Sequence, residues 1–265
     1  MFKKLGVQAY TFRNAYDGEN ANEETLGKAF RTIKSLGYDE IQTAGFGKIG
    51  IEGYARQAHE AGLDIVGTHY DYNEILNDTD EAMRKHEEIL KTKIMGIGGM
   101  PGYGRESKEG LFRFIDEANK IGDKIKKYGF KFTYHNHHFE FDKADEHKTY
   151  MDYLVEELNP ETISFCLDTH WVQRGGGNPT TWIEKLAGRI DILHLKDMGV
   201  YRDATGAVLP MITEIGNGNM DFDSIVKVAE KTGVSYYCVE HDTCPGDPMD
   251  SLKMSADYIK SRYMA

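Results

Sequence analysis

The sequence predicts an α/β protein built as one closed (β/α)8 barrel, and three observations carry that prediction. Short β-branched or aromatic runs alternate with amphipathic helical patterns along the whole chain. Eight such units share 265 residues, about 33 each, close to the ~30 residues of a βα repeat. Neither G-x-G-x-x-G after the first strand nor G-x-x-x-x-G-K-[ST] anywhere occurs, so an open doubly wound sheet would lack its phosphate loop.

The elements follow in order. LGVQAY (5–10) is the first strand. Asn22 is an N-cap for a helix with Leu26, Ala29, Phe30 and Ile33 at helical spacing, ended by Gly37. The second strand covers 39–44. A helix over 51–62 stops at Gly62, and the third strand covers 63–69. An amphipathic helix over 79–92 leads to a Gly-rich fourth strand at 93–98. A long charged helix near 107–128 precedes the fifth strand, 130–135. A helix near 146–158, the sixth strand at 162–168, and a short helix at 179–187 opened by Asn178 and Pro179 come next. The seventh strand is 191–195, a helix runs near 222–233, the eighth strand is 235–240, and the last helix is 249–263. No linker or low-complexity tract divides the chain, so residues 1–265 read as a single domain.

Composition narrows the function classes. The net charge of −11 repels phosphate backbones, which argues against a nucleic-acid partner. The closest basic run, Lys124-Ile125-Lys126-Lys127, falls on the solvated face of a predicted helix. Cys166, Cys238 and Cys244 have no paired spacing, and the first two lie in apolar runs, as buried reduced thiols do. No apolar run approaches the ~18 residues of a membrane span, and the N-terminus lacks a signal-peptide stretch, so the expectation is a cytoplasmic enzyme.

A barrel carries its active site at the carboxyl ends of its strands. Those ends hold Tyr10 with Arg13 beyond it, Gln42, His69, His135-Asn136-His137, Asp168, His194 with Lys196 and Asp197, and Glu240 with His241 and Asp242. Alone, each reads as a solvated residue or a turn. Together, four consecutive strands end in possible metal ligands: His135, Asp168, His194 and Glu240. A carboxylate closing an apolar run, as in ISFCLD and SYYCVE, needs a partner, because burying a charge alone is costly. One divalent ion meets that need, and a His/Asp/His/Glu set suits Mn, Zn, Co or Fe better than Mg or Ca. Side-chain alternation puts His135 and His137 on one face, and His194 and Lys196 on one face. Lys196 then either polarises or protonates a substrate oxygen above the metal or pairs with Asp197 or Glu240.

YHNHHFEF, LDTHWVQRGG, HLKDM, EIGNGNMDF and VEHD, in that order, resemble the sugar phosphate isomerase/epimerase family of xylose isomerase-like TIM barrels. Relatives there include inosose dehydratase, ketose 3-epimerases, dehydroshikimate dehydratase and an apurinic endonuclease. The resemblance spans LGVQAYTFR to VEHD, nearly the whole chain. It implies a divalent metal held by Asp168, His194, Glu240 and a strand-five residue. The family often has glutamate at that position, in Glu-Asn-His, where this chain has His135-Asn136-His137. Either His135 or Glu140 is then the fourth ligand. His137 inherits a catalytic role, with Glu240 the remaining member of the epimerases' acid–base pair. The family often carries a glutamate on strand two, here Gln42. Gln42 and His69 are expected on the substrate side, with Trp171 as a stacking wall, Arg174 as a hydroxyl or phosphate contact, and Glu214 of the loop after strand seven reaching sugar hydroxyls.

The implied reaction is proton removal beside a carbonyl: a metal-dependent isomerase or epimerase acting on a sugar or keto-sugar through an enediolate, with His137 as base and Lys196 as electrostatic or proton-donating partner. The alternative is a dehydratase or lyase that eliminates water or a glycosidic group from a keto-sugar or keto-cyclitol. An abasic-DNA phosphodiesterase would need a basic groove, and a non-catalytic sugar-binding barrel would not need so many ionisable strand ends. The expected partner is a small-molecule carbohydrate, with no nucleic acid and no membrane; a homo-oligomer follows from family habit alone.

Overall fold

A computed structural model describes residues 2–264. Eight parallel strands are joined in the order β3-β2-β1-β10-β7-β6-β5-β4. They are β1 (Gly6–Gln8), β2 (Glu40–Ala44), β3 (Asp64–His69), β4 (Ile94–Ile97), β5 (Lys131–His135), β6 (Ile163–Asp168), β7 (Ile190–Leu195) and β10 (Tyr236–Val239). The β3–β4 seam is held more loosely: Tyr70 N–H donates to Gly96 O at 2.8 Å and Gly96 N–H to Thr68 Oγ1 at 3.2 Å. Close approach demands glycine there, since a Cβ on residue 96 would sit 2.4 Å from Thr68 O and 2.3 Å from Thr133 Oγ1. The barrel is thus nearly closed, as the βα alternation predicts.

Two cores form. The larger lies between strands and helices, with Leu5, Phe30, Ile33, Phe114, Phe132, Phe165 and Leu195 among its buried members. The smaller fills the barrel, from Val66, Cys166, Ile192 and Cys238. Both of these cysteines are buried and free, as expected. Alternation then carries the inward faces upward from this plug: Cys166 to Asp168, Ile192 to His194 and Lys196, Cys238 to Glu240. The register agrees, with Asp168 beside His194 and His194 beside Cys238.

Strict alternation of eight strands and eight helices does not hold in detail. After β7 the chain makes an antiparallel hairpin, β8 (Asp197–Arg202) with β9 (Val208–Thr213). Its tip is an Asx-type turn in which Asp203 Oδ1 accepts Thr205 N–H at 2.9 Å and Ala207 N–H at 3.0 Å. Gly206, Pro210 and the exposure of the outer half of the hairpin hide these strands from a pattern-based reading. The helix expected over 79–92 is α-helical over Thr79–Lys85 and continues as a π turn, His86–Leu90. Short helices at Tyr72–Asn77, Gly102–Glu106 and Thr169–Arg174 also escape the sequence reading. None of the described helices is long and apolar enough to cross a membrane.

Candidate metal centre and active site

His135, Asp168, His194 and Glu240 meet at the carboxyl end of the barrel, with one donor atom from each lying within 4.8 Å of all the others. All four are buried. Their outward atoms are tied down. His135 Nδ1 faces Gly98 O at 3.3 Å, Asp168 Oδ1 accepts Trp171 N–H at 2.9 Å as a helix cap, and His194 Nε2 faces Gln42 Oε1 at 2.5 Å. A proton on each outward imidazole nitrogen leaves a lone pair on His135 Nε2 and His194 Nδ1. Those two nitrogens face Asp168 Oδ2 and Glu240 Oε2 across the centre: His194 Nδ1 lies 2.8 Å from Glu240 Oε2 and 3.6 Å from Asp168 Oδ2, and His135 Nε2 lies 3.6 Å from Asp168 Oδ2.

Charge points the same way. Lys196 is wholly buried, its Nζ 2.9 Å from Asp168 Oδ2, 2.8 Å from Glu240 Oε2 and 2.6 Å from Asp242 Oδ2. Burial pushes its pKa down, but the three carboxylates more than reverse this and keep it charged. Burial likewise favours protonated Asp168 and Glu240, yet Lys196 and the histidines hold both well below the usual carboxylate range. Three carboxylates face one fixed cation, leaving excess negative charge. His194 answers part of it: despite burial, Cys166, Glu240 and Asp168 raise its pKa well above normal. A divalent ion would displace that proton. The inward lone pairs, the charge excess and the mixed nitrogen–oxygen donors all fit such an ion.

Around the quartet stand aromatic rings. His69 lies 4.8 Å from His135 and 5.6 Å from His194, ring to ring. His69 Nδ1 contacts Gln8 Nε2 at 3.3 Å, while its Nε2 is buried without a partner. The His137 ring is 4.8 Å from His135 and 5.5 Å from Trp171, and Lys196 Nζ lies 5.1 Å from the Trp171 ring centre. Burial, with His135 nearby, lowers the His137 pKa to about 3, so its imidazole is neutral near pH 7. The Trp171 indole N–H and His137 Nδ1 are buried and unpartnered. A cavity of about 450 Å³ opens beside His137, lined also by Tyr70, Arg105 and Phe139.

Several sequence expectations land elsewhere. Gln42 is fully buried beneath the quartet, where its amide oxygen also accepts from Gln8 Nε2 at 2.8 Å; its geometry is that of a support for His194. Glu214 is buried, and its oxygens take hydrogen bonds from Ser251 Oγ at 2.7 Å, Thr213 Oγ1 at 3.0 Å and Asn217 Nδ2 at 3.4 Å. Arg174 is exposed on the helix after Asp168. Asp197 does not pair with Lys196; its carboxylate accepts the backbone N–H groups of Met198, Gly216, Gly218 and Met220. Glu140 stands outside the quartet, its oxygens held by Tyr134 and His137. Asn136 stands outside the quartet and accepts Asp168 N–H at 2.9 Å. Asp242, the third carboxylate on Lys196, went unassigned in the sequence. Its spacing of two from Glu240 was the available signal.

Residues 30–262 match the model of the xylose isomerase-like TIM barrel family. The chain belongs to that family. Among curated relatives it is similar to inosose dehydratase from Geobacillus thermodenitrificans, 25% identical over 159 residues that cover 55% of this chain and 52% of that one. Inosose dehydratase from Geobacillus kaustophilus is 27% identical over 158 residues, covering 55% and 50%. The chain thus spans about half the length of these relatives. Solved structures agree on the fold. A sugar phosphate isomerase/epimerase from Parabacteroides distasonis superposes with a TM-score of 0.78, at 23% identity, over 99% of both chains. A xylose isomerase-like barrel from Mycobacterium smegmatis, in complex with magnesium, gives 0.73 at 16% identity over 98% of both. An L-ribulose 3-epimerase gives 0.69 at 15% identity over 98% of this chain and 94% of that one.

Proposed function

We propose that this barrel is a divalent-metal-dependent isomerase or epimerase of a sugar or keto-sugar, working through an enediolate. One observation carries the reading: four buried donors from four strand ends converge, with one atom of each within 4.8 Å of all the others. His135, Asp168, His194 and Glu240 would hold the ion, of the Mn, Zn, Co or Fe type. Bound there, it would act as a Lewis acid on the substrate's carbonyl and neighbouring hydroxyl oxygens.

The protein's own groups do the rest. His137, neutral and with its Nδ1 unpartnered, is the base for the proton beside the carbonyl. Lys196, held charged by its carboxylates, stabilises negative charge that develops on oxygen. Glu240 is the second proton-handling group, and Trp171 and His69 form apolar walls that orient the ring. Gln42 positions His194, and Glu214 braces the loop after β9.

A second reading is elimination of water or a glycosidic group from a keto-sugar or keto-cyclitol. It is favoured by the missing second carboxylate: His135 occupies the strand-five position and Glu140 is tied to Tyr134 and His137. Epimerisation wants two proton-handling groups on opposite faces, whereas elimination needs a base and a stabilised oxyanion.

The test begins with elemental analysis of the purified protein and of Asp168→Asn, which keeps the helix-capping oxygen. The expected result is one divalent ion per chain, lost in the variant. A screen of keto-sugars in D2O, read by product mass, then separates the readings: deuterium uptake at otherwise unchanged mass marks isomerisation or epimerisation, and loss of a fragment marks elimination. A parent protein that takes up no metal even with added Mn²⁺, and exchanges no substrate proton, overturns the assignment.

A further inference from the structure

Glu140 is a buried carboxylate for which the proposed reaction has no use. It is 0% exposed, and its two close hydrogen bonds come from neutral groups, with Arg105 acting on it only as a more distant charge. Burying a carboxylate without a cation is unfavourable, and an apolar side chain would fill the space more cheaply. Burial indeed pushes its pKa up to about 7, partly opposed by its hydrogen bonds.

Those bonds show what the carboxylate does. Oε1 accepts Tyr134 O–H at 2.5 Å, from the β5 residue just before the metal-site His135. Oε2 accepts the backbone N–H of His137 at 2.8 Å. One side chain thus bridges the end of β5 and the first bend beyond it. The short turn Phe139–Phe141 carries Glu140 back beneath that bend. The same turn places the Phe139 ring parallel to the His137 ring, 5.2 Å away with a 13° tilt. Gly99 flanks His137 as well: a Cβ there would lie 3.4 Å from imidazole atoms, and its φ of +148 favours glycine. Backbone and ring of His137 are therefore both fixed, the backbone by Glu140.

We infer that Glu140 is a positioning residue for His137, holding the bend that aims the imidazole into the site. This rests on the reading of His137 as the base. Displacing a reacting group by about 1 Å can cost on the order of 10²-fold in rate, so loss of the clamp falls on turnover more than on binding.

The test compares Glu140→Ala, Glu140→Gln and the milder Tyr134→Phe with the parent, all metal-loaded. The His137 imidazole is followed by long-range 1H–15N NMR, assigned through His137→Ala. Kinetics use the substrate found in the mass screen. The expected result for Glu140→Ala is a displaced His137 resonance and a kcat lower by roughly 10- to 100-fold, with KM within about twofold and metal content intact. Glu140→Gln, which keeps an acceptor for the N–H, restores most of both. Should Glu140→Ala not fold, Tyr134→Phe carries the same comparison with a smaller shift. A folded, metal-loaded variant whose His137 resonance and kcat match the parent overturns the inference. If His137→Ala itself turns over normally, the base assignment is what fails, and the NMR comparison still decides whether Glu140 positions the ring.

Discussion

Lys196 Nζ lies 2.8 Å from Glu240 Oε2, and the ammonium is sealed from solvent. The same carboxylate oxygen is 2.8 Å from His194 Nδ1. Lys196 therefore belongs to the electrostatic foundation of the buried quartet.

Replacing Lys196 with methionine leaves Asp168, Glu240 and Asp242 facing one another without a fixed cation. The metal-free variant is expected to lose about 3–5 kcal/mol, the usual cost of breaking a buried ion pair from one side. Added Mn²⁺ should recover part of this. Urea unfolding with and without metal checks both effects; equal stability of the metal-free variant and parent would show that the carboxylates had simply taken up protons.

Gln42→Leu removes the acceptor for His194 Nε2 while keeping a similar volume. Freed of its fixed tautomer, His194 should bind metal roughly 10- to 100-fold more weakly, as is typical when a ligand's supporting hydrogen bond is removed. Chelator competition measures this. Unchanged affinity would make Gln42 mere packing.

Asp197→Ala deprives four backbone N–H groups of their acceptor. The expected outcome is a loss of about 2 kcal/mol and faster amide exchange confined to Met198 and residues 214–220. Hydrogen-exchange mass spectrometry reads it directly, and metal content should not change.

His86 gives the fold an acid-sensitive point outside the quartet. It bridges Thr68 Oγ1, at 2.9 Å from Nε2, and Ala82 O, at 2.7 Å from Nδ1. Burial lowers its pKa to about 4, against about 6.5 for an unfolded histidine. The unfolded chain binds the proton first as pH falls, so stability declines from about pH 6.5 down to about 4. Between pH 7 and pH 5 this residue accounts for about 2 kcal/mol. His86→Gln, which can keep the hydrogen bonds, should flatten that part of the stability–pH curve. An identical slope in variant and parent would assign the sensitivity elsewhere.

Residue patterns along the chain were enough to specify the barrel and the rim residues that converge. Alternation is a local property of a strand, so Cys166 and Asp168, or His194 and Lys196, share a face before any tertiary contact exists. Helical spacing and caps such as Asn22 are equally local, and the expected strands lie within about two residues of those found. Which polar groups meet depends instead on how the closed barrel packs. Gln42 and His194 are 152 residues apart in the chain, and only barrel closure brings the amide beneath the imidazole. Glu214 is drawn under the last helix by Ser251, Asp197 is claimed by the loop at 216–220, and Asp242 reaches Lys196 across the rim. Hydrogen bonds and ion pairs depend on distances of an ångström or two between segments remote in sequence, and residue spacing along one strand carries no such information.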